Sequence, residues 1–137
     1  MGKGYAEDGF DPDAFTAQDA ERAQAQGAAL FNAGEYHAAH ESFERCWQSN
    51  EAADADFFKG LIQACICLHH LQMDNAEGAR KLYSGHRRLL GTFLPTHRGI
   101  DVAALLAEMQ IALAAARRAG PGESVPFPTP APRMRVL

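Results

Sequence analysis

The sequence predicts an all-α fold: about five helices packed as antiparallel hairpins around a central apolar helix. Two observations carry that prediction. Apolar residues recur at i, i+3 and i+4 through most of 16–120, with Gly34, Asp74-Asn75 and Pro95 as punctuation at helix-length intervals. The stretch Phe57–Leu71 leaves almost no polar face, as expected of a helix surrounded by others.

Residues 1–15, rich in Gly and Asp, read as an irregular arm, and 16–120 as the helical bundle. Thr16 with Asp19 resembles a capping box, opening a first helix that runs to about Asn32. Its stripe is Ala20, Ala23, Gly27, Leu30 and Phe31, and Gly34 is a natural stop because glycine accepts the left-handed conformation. A second helix covers Glu35 to Ser49, with Tyr36, Ala39, Phe43 and Trp47 on one face. Ser49–Ala55 reads as a short loop, and a third helix as Asp56 to Met73. The fourth spans Ala76 to Phe93, its Arg80, Lys81, Arg87 and Arg88 read as a solvated basic stripe. Pro95 ends it. Asp101 caps a fifth helix that stops before Gly120, with Val102, Leu105, Leu106, Met109 and Leu113 inward. From 121 to 137, five of seven prolines exclude a helix, leaving a loose tail or an extended strap with Val125 and Phe127 tucked against the bundle. Leu30-Phe31…Gly34-x-Tyr36 is echoed weakly forty residues later by His70-Leu71…Ala79…Tyr83, a tetratricopeptide-like rhythm that fits stacked hairpins better than a repeat array.

With 137 residues, 47% apolar and 22% charged, the chain has the balance of a soluble globular protein. A formal charge of −4 argues against nucleic acid as partner, and no apolar run is long enough to span a bilayer. The acidic N-terminus lacks a signal-peptide core, so cytoplasm is the expected compartment. Cys46, Cys65 and Cys67 are then reduced, buried thiols; Cys65 and Cys67 point about 200° apart and cannot chelate one ion. His86 and His97 carry no spacing signal.

Chemistry, if any, concentrates on His40 and Glu44, i, i+4 neighbours on the border between core and solvent. Gln63 sits in the middle of the apolar third helix with His70 on the same stripe, and a buried amide left unpaired costs about 1–3 kcal/mol. His40, Glu41 and Glu44 are its expected partners. The plainer reading is a structural polar network that sets helix register; the sharper one is a divalent-metal or acid–base site. No zinc-protease, di-iron, phosphate-loop or nucleophile-elbow signature is complete.

Leu30-Phe31-Asn32-x-Gly34-Glu35-Tyr36-x-x-Ala39-His40-Glu41-x-x-Glu44-x-x-Trp47, then Phe58-x-Gly60-Leu61-Ile62-Gln63, then His70-Leu71-x-x-x-Asn75-x-x-Gly78-Ala79 resemble the domain-of-unknown-function family numbered 309, over about residues 23–106. The resemblance implies a small bacterial or archaeal helical bundle without an assigned activity. Its motif falls on His40, Glu41, Glu44, Trp47, Gln63 and His70. The chain departs from the family at Met73-Asp74, where a basic residue and Gly are common.

The expected function is a non-catalytic binding or interaction module for a protein or small ligand. The alternative is a metal-binding or acid–base site on His40, Glu44 and Gln63. No cofactor is expected under the first reading; a divalent metal on His40 and Glu44 belongs to the second. Membrane and nucleic acid are not expected partners, and homodimerisation is open to a bundle of this size.

Overall fold

The computed structural model describes residues 11–49 and 52–137. Residues 1–10 of the expected arm lie outside them. The remainder of the arm departs from the irregular expectation: Pro12–Ala14 form a 3₁₀ turn and Phe15 packs against the core.

Helix α1 (Ala17–Asn32) opens with the expected capping box: the Asp19 amide donates to Thr16 Oγ1 at 3.0 Å, and the Thr16 amide to Asp19 Oδ2 at 2.9 Å. It closes in a Schellman turn, in which Gly34 at φ +81° lets Gly34 N–H reach Phe31 O and Glu35 N–H reach Leu30 O. Helix α2 (Tyr36–Ser49) buries Tyr36, Ala39, Phe43 and Cys46.

Helix α3 (Ala52–Gln72) starts earlier than expected. Ala52, Ala53 and Ala55 are strong helix formers, and Asp54 in the first turn complements the helix dipole, so 52–55 wind into helix instead of loop. Packed between α2 and α4, α3 fully buries Phe57, Phe58, Leu61, Ala64, Cys65, Cys67 and Leu68. It ends in the same turn as α1: Asp74 N–H bonds to Leu71 O and Asn75 N–H to His70 O, with Asp74 at φ +56°. The forty-residue echo is thus geometric as well. An aspartate adopts at position 74 the conformation that glycine adopts at 34, which aspartate tolerates better than most residues.

Helix α4 (Ala76–Leu90) is capped by Asn75, whose Oδ1 accepts from the Gly78 amide at 2.9 Å. It ends three residues short of Phe93, its chain tightening into a 3₁₀ turn over Gly91–Phe93. At Gly60 of α3 an added Cβ would stand 2.7 Å from Leu90 Cγ, so a side chain there would hold α3 and α4 apart. The basic stripe on α4 is not uniformly solvated. Arg80 donates to Ala116 O and Ala119 O, and Arg87 to Leu106 O. Seven residues apart, these two share a face and dock the following helices, while Lys81 pairs with Glu77 in solvent.

Between α4 and the last helices lies a hairpin that helical periodicity does not anticipate. Strands β1 (Thr96–His97) and β2 (Ile100–Asp101) turn around Arg98 and Gly99, both at positive φ, the two-residue connection that matches strand twist. Asp101 then caps helix α5 (Val102–Ala112) through the Ala104 amide at 2.9 Å. The expected single fifth helix breaks at Leu113 and resumes as α6 (Ala114–Arg118), a bend that keeps Leu113 and Ala116 both buried.

The proline-rich segment is a strap. Val125 and Phe127 pack against the core, and the Phe127 ring lies 6.0 Å from that of Tyr36. Met134 is buried and doubly clamped by Asn32, which donates to Met134 O and accepts from its amide, each at 2.8 Å. Beyond it the chain lies antiparallel to β2: Asp101 N–H bonds to Arg135 O and Leu137 N–H to Gly99 O.

Candidate functional site

On α2, His40 Nε2 lies 2.9 Å from Glu44 Oε2 across one helical turn, with the imidazole side chain 25% exposed. Gln48 Nε2 donates to the other Glu44 oxygen. The His37 ring lies 5.9 Å from that of His40 and 5.5 Å from that of His69, while the His37 Nδ1 to Glu41 Oε1 distance is 3.9 Å, with both side chains largely exposed. Trp47 is half-buried against the core.

Gln63 does not join this group. An added Cβ at Gly85 of α4 would stand 2.5 Å from Gln63 Oε1, so the amide lies against α4. That oxygen is buried without a hydrogen-bond partner among the described residues. The expectation that α2 supplies its partner fails for a geometric reason. His69 faces His37 on α2, and Gln63, six residues earlier, points about 120° away around the helix. The absence of a side chain at Gly85 makes room for the amide, and no described residue answers its acceptor.

His70, on the Gln63 stripe, also turns toward α4. Its Nδ1 accepts from Asn75 Nδ2 at 3.2 Å, and burial, with His69 alongside, lowers its pKa. The six candidates therefore divide: His40, Glu41, Glu44 and Trp47 on α2, Gln63 and His70 on the α3 face toward α4. Among the described residues no group of three or more His, Cys, Asp or Glu side chains is placed to hold a metal ion. Burial pushes the Cys46 thiol up to about 11 and Cys67 to about 12, and raises Cys65 further, so none supplies a thiolate near neutrality.

Two histidines without a spacing signal are highly organised. His86 is fully buried; its Nδ1 donates to Tyr83 O, leaving Nε2 a lone-pair acceptor with no partner among the described residues. Burial drives its pKa down to about 4, so the ring is neutral near pH 7. His97 lies against the Phe57 and Phe93 rings and its Nε2 meets Asp54 Oδ1 at 2.7 Å. Arg98 NH1 meets the other Asp54 oxygen at 3.0 Å, and Arg98 Nε donates to Gln24. Burial alone would raise the Asp54 carboxyl; the bonds from His97 and Arg98 outweigh it and hold the carboxyl below its ordinary value. This cluster ties the hairpin to α1 and α3. Spacing in the sequence does not reveal this cluster, because Asp54 lies 43 residues from His97; Gly99, held at positive φ, is a local signal that could mark the hairpin.

Several concave surfaces lie among the described residues, two of them large enough to weigh as ligand seats. A cleft of about 500 Å³ between α1 and α2 is lined by the apolar side chains of Phe15, Ala23, Leu30 and Ala38 and by polar ones that include Asp19, Arg22 and Arg45. A groove of about 440 Å³ separates α5–α6 from the strap. Ile111, Ala112 and Ala115 form one wall, Phe127, Pro128 and Pro130 contribute to the other, and Ile111 is 77% exposed.

All six motif residues lie on α2 and α3, inside one contiguous stretch. Residues 25–82 match the DUF309 family model, a domain of unknown function. No curated protein matches the chain. The DUF309 segment runs from the middle of α1 into α4, shorter than the 23–106 over which the resemblance reads, and holds both Schellman turns and the His40–Glu44 pair. The groove at the strap lies wholly outside the DUF309 segment. No helix among the described residues is long and apolar enough to cross a membrane.

Proposed function

We propose that the protein is a non-catalytic binding module whose ligand seat is the groove between α5–α6 and the strap. The observation that carries this reading is the apolar lining of that groove, with Ile111 left 77% exposed beside Phe127 and the strap prolines. Small-molecule sites are concave, mostly apolar and supplied with few polar groups, and about 440 Å³ falls within their usual volume. The strap is an anchored wall: Asn32 clamps Met134, and Glu108 Oε1 accepts from the Arg133 amide at 3.0 Å. Its prolines lower the entropy lost on holding it extended.

The separation of Gln63 and His70 from His40 and Glu44 weighs against the alternative acid–base or metal site. What remains there is one imidazole paired with one carboxylate that Gln48 also bonds, and among the described residues no third His, Cys, Asp or Glu side chain completes a metal-holding group.

The test is a titration of the isotopically labelled full chain with decanol, an uncharged apolar probe, followed by amide chemical shifts. Perturbations should concentrate on 108–115 and 126–135, and Ile111→Asp should abolish them while leaving the melting temperature within a few degrees, because Ile111 is exposed. Shifts centred on the α1–α2 cleft, or none at all, would refute the assignment.

A further inference from the structure

We infer that the ligand of the strap groove is an anionic amphipath, a fatty carboxylate of medium chain length, with its head group at Arg133. This rests on the proposed seat and adds the chemical class of its occupant. The charged groups lining the groove are one carboxylate, Glu108, and two guanidiniums, Arg133 and Arg135. Both Glu108 oxygens are already engaged: Oε1 by the Arg133 backbone amide and Oε2 by the Arg135 side chain at 2.6 Å. That arrangement fixes the Arg133 backbone, neutralises the acid and leaves the Arg133 guanidinium with no carboxylate partner among the described residues. A positive rim on a chain of formal charge −4 is local and selects for a negative head.

The apolar part sets the body of the ligand. Glu108, Ile111 and Ala112, at i, i+3 and i+4 on α5, and Ala115 on α6 across the bend at Leu113 line one side of the groove, whose volume of about 440 Å³ accommodates an extended chain of about ten carbons. The alanines leave room on the helix side, and Thr129 is the uncharged hydroxyl in the lining. An apolar channel with one unbalanced cation at its rim fits a monocarboxylate better than a neutral alcohol, and excludes an amine.

Isothermal titration of the full chain at pH 7.5, below micellar concentrations, distinguishes these. Decanoate should bind one to one and at least tenfold more tightly than decanol, with decyltrimethylammonium weaker still. Arg133→Gln should bring decanoate to the level of decanol and leave decanol unchanged. Equal affinities for decanoate and decanol, insensitivity to Arg133→Gln, or preference for the ammonium would overturn the anionic class while leaving the seat in place. Loss of neither ligand in Ile111→Asp, or no binding of either to the native chain, would overturn the seat and this inference with it. A stoichiometry well above one would do the same, since it marks detergent-like adsorption.

Discussion

His86 should make the protein sensitive to mild acid. The ring is fully buried, its Nε2 has no partner among the described residues, and burial lowers its pKa from the ordinary 6.5 to about 4. An unfolded chain takes up a proton as pH falls through 6.5, whereas the folded chain resists until about 4. Stability contributed by the neutral ring is therefore complete above about pH 7, is lost progressively down to about pH 4, and levels off below it. A tenfold difference in proton affinity corresponds to about 1.4 kcal/mol, and between pH 7 and 4.5 the integrated loss is about 2 kcal/mol. His70, also lowered, acts in the same direction, whereas Asp19 and Asp54, held below their ordinary values, weaken the fold only in more acid solution. The readout is urea denaturation at several pH values between 7 and 4.5 for the native chain and for His86→Leu. The substitution removes both ring nitrogens, and stability should stay within about 1 kcal/mol of the native chain at pH 7, because the lost bond to Tyr83 O is balanced by removal of an orphan acceptor. On acidification His86→Leu should lose about 2 kcal/mol less than the native chain. Parallel pH profiles for the two proteins would refute the reasoning.

Gln63→Leu should be neutral or stabilising by up to about 1 kcal/mol, since it removes a buried acceptor that nothing answers; a loss of several kcal/mol in chemical denaturation would show an essential partner. Gly60→Ala should destabilise by about 1–3 kcal/mol, because the new methyl meets Leu90 at the α3–α4 contact; unchanged stability would mean the helices can part freely. Deleting 121–137 exposes the surface under Met134 and Phe127 and should lower the melting temperature by at least about 5 °C; an unchanged calorimetric transition would mean the strap is not held in solution. Asp74→Gly should stabilise by about 0.5–1 kcal/mol through relief of positive φ, offset in part by the lost exposed contact with Ser124, and a lowered urea midpoint would contradict it.

What was legible in the sequence was local. The Thr16–Asp19 capping box, the Gly34 turn and the Asp101 cap each involve residues within a few positions of one another, and helical periodicity already marks which side of α1, α2 and α5 is apolar. The DUF309 match was legible for the same reason, since it covers one contiguous stretch, residues 25–82. Whatever depended on a distant neighbour was decided by tertiary structure. Periodicity shows that Gln63 is off the His69 stripe, but only packing shows that α4, with Gly85, is what lies there. Arg80 and Arg87 have the composition of a solvated face, and the carbonyls they bind lie 19 to 39 residues away. Asp54 and His97 meet across 43 residues, and Asn32 clamps the strap across 102. A helix is stabilised by bonds four residues apart and so leaves a short-range trace; a groove between a helix and a strap exists only once both have been brought to the same place.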